Sequence, residues 1–180
     1  MPPWIAIINT LLKSEIRSNR FTWVQLASIG LDNTPSVRTV VFRGWTDSYE
    51  MVIFTDKRSQ KYQELKANDN VEICWLFSES KSQFRLRGNA RIEIEKDNRL
   101  YWDQLNDQSK KMWSWPTPGK HFNKIQNKPL TFSKETKISE NFIVLRIDIT
   151  YVDQLTLHDP AHMRRRWLRE KEWVEERINP

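Results

Sequence analysis

The run Val37-Arg38-Thr39-Val40-Val41-Phe42-Arg43-Gly44-Trp45, followed by Thr46-Asp47-Ser48 and then Met51-Val52-Ile53-Phe54-Thr55, decides the fold class. Val37, Thr39 and Val41 alternate with Arg38, Val40 and Phe42, the period of two that a half-buried strand imposes. β-Branched and aromatic side chains dominate both runs, and the polar triplet between them is a turn. Two such strands, joined so closely, begin an antiparallel meander.

Working outward, the same texture recurs. Phe21 to Ile29 is a strand ahead of the turn signal Asn33-Thr34-Pro35, and Val71 to Phe77 and Gln83 to Glu95 are two more, joined by Ser78-Glu79-Ser80-Lys81. A long strand runs from Phe142 to about Leu157. Helical spacing is rarer. Trp4, Ile5, Ile8, Leu11, Leu12 and Ile16 share a face behind Pro2-Pro3, which places a helix within residues 1–18. Ser59 starts a short helix to Leu65, its hydroxyl positioned to accept orphan N–H groups. Lys96 to Gln108 reads as a helix with Leu100, Tyr101 and Leu105 on one face. The prolines in Trp113-Ser114-Trp115-Pro116-Thr117-Pro118-Gly119 forbid regular structure there. Residues 161–180 suit either a charged helix or a hairpin of Arg166-Trp167-Leu168 against Trp173-Val174. The expectation is a mainly β, α+β chain: one domain over 1–180, a closed or nearly closed antiparallel barrel with a few flanking helices.

Composition limits the chemistry. A chain of 180 residues suits one core. The single cysteine, Cys74, excludes an internal disulfide and reads as a small buried hydrophobe in its strand. No signal peptide and no apolar run of membrane-spanning length is evident, so the expected location is the cytoplasm. The net charge of +6 is mostly interleaved with acids, with Arg164-Arg165-Arg166 as the one dense run, and argues for a solvated face or small anionic ligands before nucleic acid. Four glycines cannot build a dinucleotide fingerprint or a phosphate loop. His121, His158 and His162 show no metal-ligand spacing, and no serine sits in a nucleophile elbow, so neither a metal nor a catalytic side chain is assigned.

One cluster is left. Arg38 and Arg43 bracket a strand, the next strand ends at Phe54-Thr55-Asp56, and Ser59-Gln60-Lys61 opens a helix. A helix N-terminus with a lysine, and an arginine on a neighbouring strand, can hold a phosphate dianion. Solvated strand cations account for the same residues.

The order Arg38-Thr39-Val40-Val41-Phe42-Arg43, Phe54-Thr55, Ser59-Gln60-Lys61, then Gln83 leading to Gly88, resembles the pyridoxamine 5′-phosphate oxidase family. The resemblance is clear from about residue 20 to 103 and resumes in outline over the last strands. The Trp113–Gly119 segment is similar to a variant branch common in cyanobacteria and plants. It implies an FMN-binding split barrel, a homodimer with flavin sites between subunits, and a hairpin at the C-terminus. In that frame Arg38, Ser59, Gln60 and Lys61 hold the FMN phosphate, and Val40, Val41, Phe54 and Thr55 line the ring or ribityl chain. Gln83 reaches the flavin from the partner subunit, and Arg166 is the hairpin arginine.

Arg43, Tyr101 and Ser109 match contacts to a phosphate-bearing small-molecule substrate. Leu105 stands where an arginine is expected, and His162-Met163-Arg164 inverts an expected Arg-x-His. The implied function is an FMN-dependent oxidoreductase with an altered substrate site, and hydride transfer to the flavin is its reaction class. Its rivals are a non-catalytic flavin or B6-phosphate binding protein and a basic nucleic-acid module. No nucleic acid and no membrane are expected among its partners.

Overall fold

A computed structural model of the chain describes residues 1–15, 23–93, 95–122, 137–157 and 160–180. Helix α1 (Pro3–Glu15) precedes strands β1 (Trp23–Ile29), β2 (Pro35–Trp45) and β3 (Met51–Asp56), which form the expected meander. After α2 (Gln60–Ala67), β4 (Asn70–Phe77) returns to pair with β1, and β5 (Ser82–Ile92) pairs with β4. Helices α3 (Glu95–Asp103) and α4 (Asp107–Lys111) lead to the long β6 (Phe142–Thr156). Strand β6 pairs with β5 on one edge and with β3 on the other. That second pairing closes the ring β3-β2-β1-β4-β5-β6 into an antiparallel barrel. β7 (Met163–Leu168) and β8 (Glu176–Ile178) extend the sheet beyond β6 as a hairpin.

The alternation read in the sequence sorts the strands into faces. Val24, Leu26, Val40, Ile53, Ile73, Trp75, Phe84, Leu86 and Ile147 point inward and are buried. Both ends of β2 are covered by helices. At its C-terminal end α1 inserts Trp4, Ile5, Ile8 and Leu12 into the core, and Asn9 accepts a hydrogen bond from Trp45 Nε1 at 3.3 Å. At its N-terminal end sits α2, with Glu64 and Leu65 buried. A smaller cluster lies outside the barrel, where α3 covers β3 and β6 with Trp102 against Val52, Phe142 and Val144.

Several expectations need correcting. The N-terminal helix spans Pro3–Glu15, and Ile16 lies outside the described residues. The turn before β2 runs from Gly30 to Thr34, with Asn33 in the left-handed region at φ 62°, and Pro35 already belongs to the strand. The helix expected over Lys96–Gln108 is two helices, because the Asn106 side chain accepts from Ser109 N at 2.8 Å and starts α4. Trp102 is its buried aromatic, whereas Leu100 is exposed. The terminal hairpin forms, but Arg166 faces Glu176 rather than Trp173-Val174, because Glu172 and Trp173 take positive φ in a wider turn. Cys74 faces outward and is half-buried, since inward positions of β4 belong to Val71, Ile73, Trp75 and Phe77.

Gly88 sits at the register shift between β5 and β6, where an added Cβ would run into the Asp148 carbonyl. Gly88→Ala is expected to destabilise the protein by about 1–3 kcal/mol, the range for overpacking. Chemical denaturation checks it; an unchanged midpoint would show that the bulge relaxes freely.

Candidate functional site

Thr55, next to the last residue of β3, lies on the inward face, and the chain turns through Asp56–Ser59 into α2. The short turn brings Thr55, Ser59 and Lys61 together. Lys61 Nζ donates to Thr55 Oγ1 at 2.8 Å, and Thr55 Oγ1 and Ser59 Oγ are 3.3 Å apart. Ser59 occupies the N-cap position, but its hydroxyl does not accept from the helix; it donates to the Asp56 carbonyl at 2.6 Å. The first turn of α2 therefore has no bond from its cap side chain.

Arg38 reaches the same end of the barrel from β2. Its Nη1 donates to Ser28 Oγ at 2.5 Å and more weakly to Leu26 O, and its Nη2 donates to Ser36 Oγ and to Glu64 Oε2 at 2.6 Å. Its side chain keeps 21% exposure while that of Glu64 has none. Burial pulls the Lys61 ammonium below its usual range, and the nearby Arg38 charge pulls it further. Two cations whose fields already oppose each other gain from an anion placed beside them. Gln60 is exposed and donates to Glu64 Oε1 at 2.9 Å.

The other candidates fall in separate places. Val40 is buried in the core, and Val41 is half-buried on the outer face of β2. The Arg43 guanidinium lies 5.0 Å from the centre of the Phe54 ring, and Phe54 meets Tyr101 edge-on at 5.5 Å. Phe54 thus links Arg43 and Tyr101 in one cluster. Ser109 is on α4, where its N–H is bound by Asn106. Leu105 packs with the Trp102 and Phe142 cluster. His158 lies outside the described residues.

Gln83 and Arg166 share a surface on another wall. Register pairs Leu76 with Gln83 and Gln83 with Leu155, and it aligns Arg85, Asp153 and Arg166 across β5, β6 and β7. Asp153 is buried and accepts both Nε and Nη2 of Arg164 at 3.0–3.2 Å, with Arg85 at 3.3 Å. Arg166 pairs with Glu176 at 2.6 Å. In the closed ring β5 lies opposite β2, with two strands between them in either direction. The sequence reading missed Ser28, Glu64 and Asp153. Their signal was present for the first: Ser28 is a polar residue at an inward position after Val24 and Leu26.

Residues 1–93 match the family described as pyridoxamine 5′-phosphate oxidase, FMN-binding domain. The chain belongs to that family. It is 30% identical over 99% of its length, and 97% of the relative's, to pyridoxine/pyridoxamine 5′-phosphate oxidase 2 of Arabidopsis thaliana. It is 33% identical to pyridoxine/pyridoxamine 5′-phosphate oxidase of Psychrobacter cryohalolentis over 56% of this chain and 47% of that one. A pyridoxamine 5′-phosphate oxidase-related, FMN binding protein from Nostoc punctiforme superposes over 100% of this chain and 99% of its own, with TM-score 0.87 and 28% identity. PhzG from Burkholderia lata, at 18% identity and TM-score 0.77 over 100% of this chain and 94% of its own, has the same fold.

For a pyridoxamine 5′-phosphate oxidase family domain the cofactor is FMN. The donor set suits it: a desolvated lysine beside an arginine favours a dianion, and a phosphate at the start of α2 meets free N–H groups and the helix dipole. Among the described residues no helix is long and apolar enough to cross a membrane.

Proposed function

We propose that this protein is an FMN-dependent oxidoreductase acting as a homodimer on a small anionic substrate that differs from that of the vitamin-B6 oxidases. The convergence of Arg38, Thr55, Ser59 and Lys61 at the entry to α2 carries the reading. Arg38 and Lys61 hold the cofactor phosphate, with Ser59 and the neutral donor Gln60 beside them, and Thr55 keeps Lys61 in place. Val41, Phe54 and the backbone of Val40 line the remainder of the cofactor. Bound FMN supplies hydride acceptance; this chain's residues supply placement and charge. Arg43, over the Phe54 ring, and Tyr101 face the substrate, with Ser109 eight positions after Tyr101. Anaerobic addition of a substrate to the FMN-loaded protein should bleach the flavin absorbance. A protein that keeps its FMN but is bleached by no amine, alcohol or reduced nicotinamide would be the binding protein of the rival reading.

The homodimer is supported by where Gln83 stands. Its outward side chain lies on the wall opposite β2, so Gln83 and Arg38 meet one ligand only if they come from two copies. Between β2 and that wall, the outer face exposes Trp23 (65%) on β1, with Val41 opposite it on β2 and Leu76 (57%) beside it on β4. An apolar patch of this kind on a sheet face marks an interface, and a two-fold axis uses one patch twice. Leu76→Arg, at an exposed position, is expected to convert the dimer to monomer in sedimentation and to lower FMN affinity at least about tenfold. A variant that remains a flavin-loaded dimer would count against this surface.

A further inference from the structure

We propose that Glu64 is a positioning residue for the phosphate site, one that sets the placement of Arg38 and Gln60. This deepens the FMN reading of Arg38 and Lys61 above and rests on it. Glu64 lies one helical turn after Gln60, and its side chain has no exposure. Both carboxylate oxygens are engaged. Oε2 accepts from Ser28 Oγ at 2.6 Å and from Arg38 Nη2 at 2.6 Å, while Oε1 accepts from Gln60 Nε2 at 2.9 Å. Ser28 closes a triangle, since its hydroxyl donates to Glu64 and accepts from Arg38 Nη1 at 2.5 Å.

A buried carboxylate is a costly way to fill a barrel end, and its neighbour Leu65 already packs into the core. Its connections give it another role. One oxygen ties down the cation on β2, and the other ties down the donor that precedes Lys61 on α2. Burial pushes Glu64 up, but the Ser28 bond and the Arg38 charge outweigh it and hold the carboxyl below its usual range, so the group stays ionised. An arginine has many rotamers to lose when it meets a ligand, and fixing it beforehand removes that cost from binding.

The carboxylate also cancels part of the positive potential that attracts a phosphate. Preorganisation and neutralisation predict opposite results for Glu64→Gln, which makes the variant decisive. Apo-protein is titrated with FMN and with riboflavin, which lacks the phosphate, by flavin fluorescence. Glu64→Gln is expected to weaken FMN binding about tenfold, the scale of one charge-assisted contact, and to leave riboflavin unchanged. The preference for FMN over riboflavin then falls. A folded Glu64→Gln protein with an unchanged or larger preference overturns the proposal. If that variant does not fold, Ser28→Ala decides by the same readout: a smaller fall supports positioning, and no fall overturns it. Arg38→Ala, titrated in parallel, separates the two levels. An unchanged preference there means that the reading of Arg38 has failed, whereas a fall there without one in Glu64→Gln removes the role of Glu64 alone.

Discussion

Arg38→Ala and Lys61→Ala are each expected to weaken FMN binding about ten- to a hundredfold, while Arg43→Ala leaves it nearly intact. Each of the first two removes a charge-assisted contact to a dianion, worth roughly 1.5–3 kcal/mol. The surroundings rank them. Lys61 bonds Thr55, a neutral hydroxyl that tolerates losing its donor. Arg38 pairs with a carboxylate that has no exposure, so its removal leaves a buried negative charge without its cation. Arg38→Ala should therefore be the more damaging, and it should also lower the unfolding midpoint. Arg43 lies over Phe54, away from this cluster, and its loss should appear in the affinity for substrate. Flavin titration of the three apo-variants, with denaturation run beside it, checks the division. Equal losses at all three would show that the two subsites have been wrongly separated.

Turnover of pyridoxamine 5′-phosphate is expected to be absent or far below an ordinary enzymatic rate of about 1 per second. Binding energy from a remote phosphate normally aligns the reacting carbon with the flavin. The position expected to carry a phosphate-gripping arginine holds Leu105, packed into the apolar cluster around Trp102. The region expected to hold an Arg-x-His pair ends in Arg164, whose guanidinium is taken by the buried Asp153. Arg43 and Tyr101 remain, enough for weak affinity towards phosphate-bearing ligands. The similarity to a protein named pyridoxine/pyridoxamine 5′-phosphate oxidase 2 makes the measurement pointed. Oxygen-dependent formation of pyridoxal phosphate by FMN-saturated protein at about 1 per second or faster would restore the simple oxidase.

The barrel was legible because alternation is a local property. Strands β1, β4 and β5 alternate cleanly, β3 and the start of β6 are buried on both faces under α3, and inward residues such as Val40 are buried. Ser59 marked the start of α2 correctly, yet its hydroxyl bonds Asp56 instead of the helix; geometry around a cap is set by the preceding strand end, which composition does not encode. Gln60 and Lys61 were visible as helix-entry residues, but nothing local in the sequence marks Glu64, two positions beyond Tyr62, as buried. Its burial depends on Ser28 and Arg38, contributed by strands far away in sequence. The hairpin register failed for a similar reason: Arg166 chooses Glu176 through an ion pair, and two left-handed residues in the turn absorb the difference.

The β3–β6 pairing sets the order in which this molecule can be made. Met51 to Asp56 must find Ile147 to Phe142, so the ring cannot close until most of the chain has left the ribosome. Loop-closure entropy grows only slowly with length, but contacts this distant slow the search, and until they form β3 and β5 present open edges. The recognisable family segment, residues 1–93, contains Arg38 and Lys61 but lacks the strand that joins those edges. Expressed alone it would be a sheet with two unpaired borders, prone to pair with its own copies. The proposed phosphate site, complete in its residues by Glu64, thus waits on a strand encoded about eighty positions later before it has a barrel to stand on.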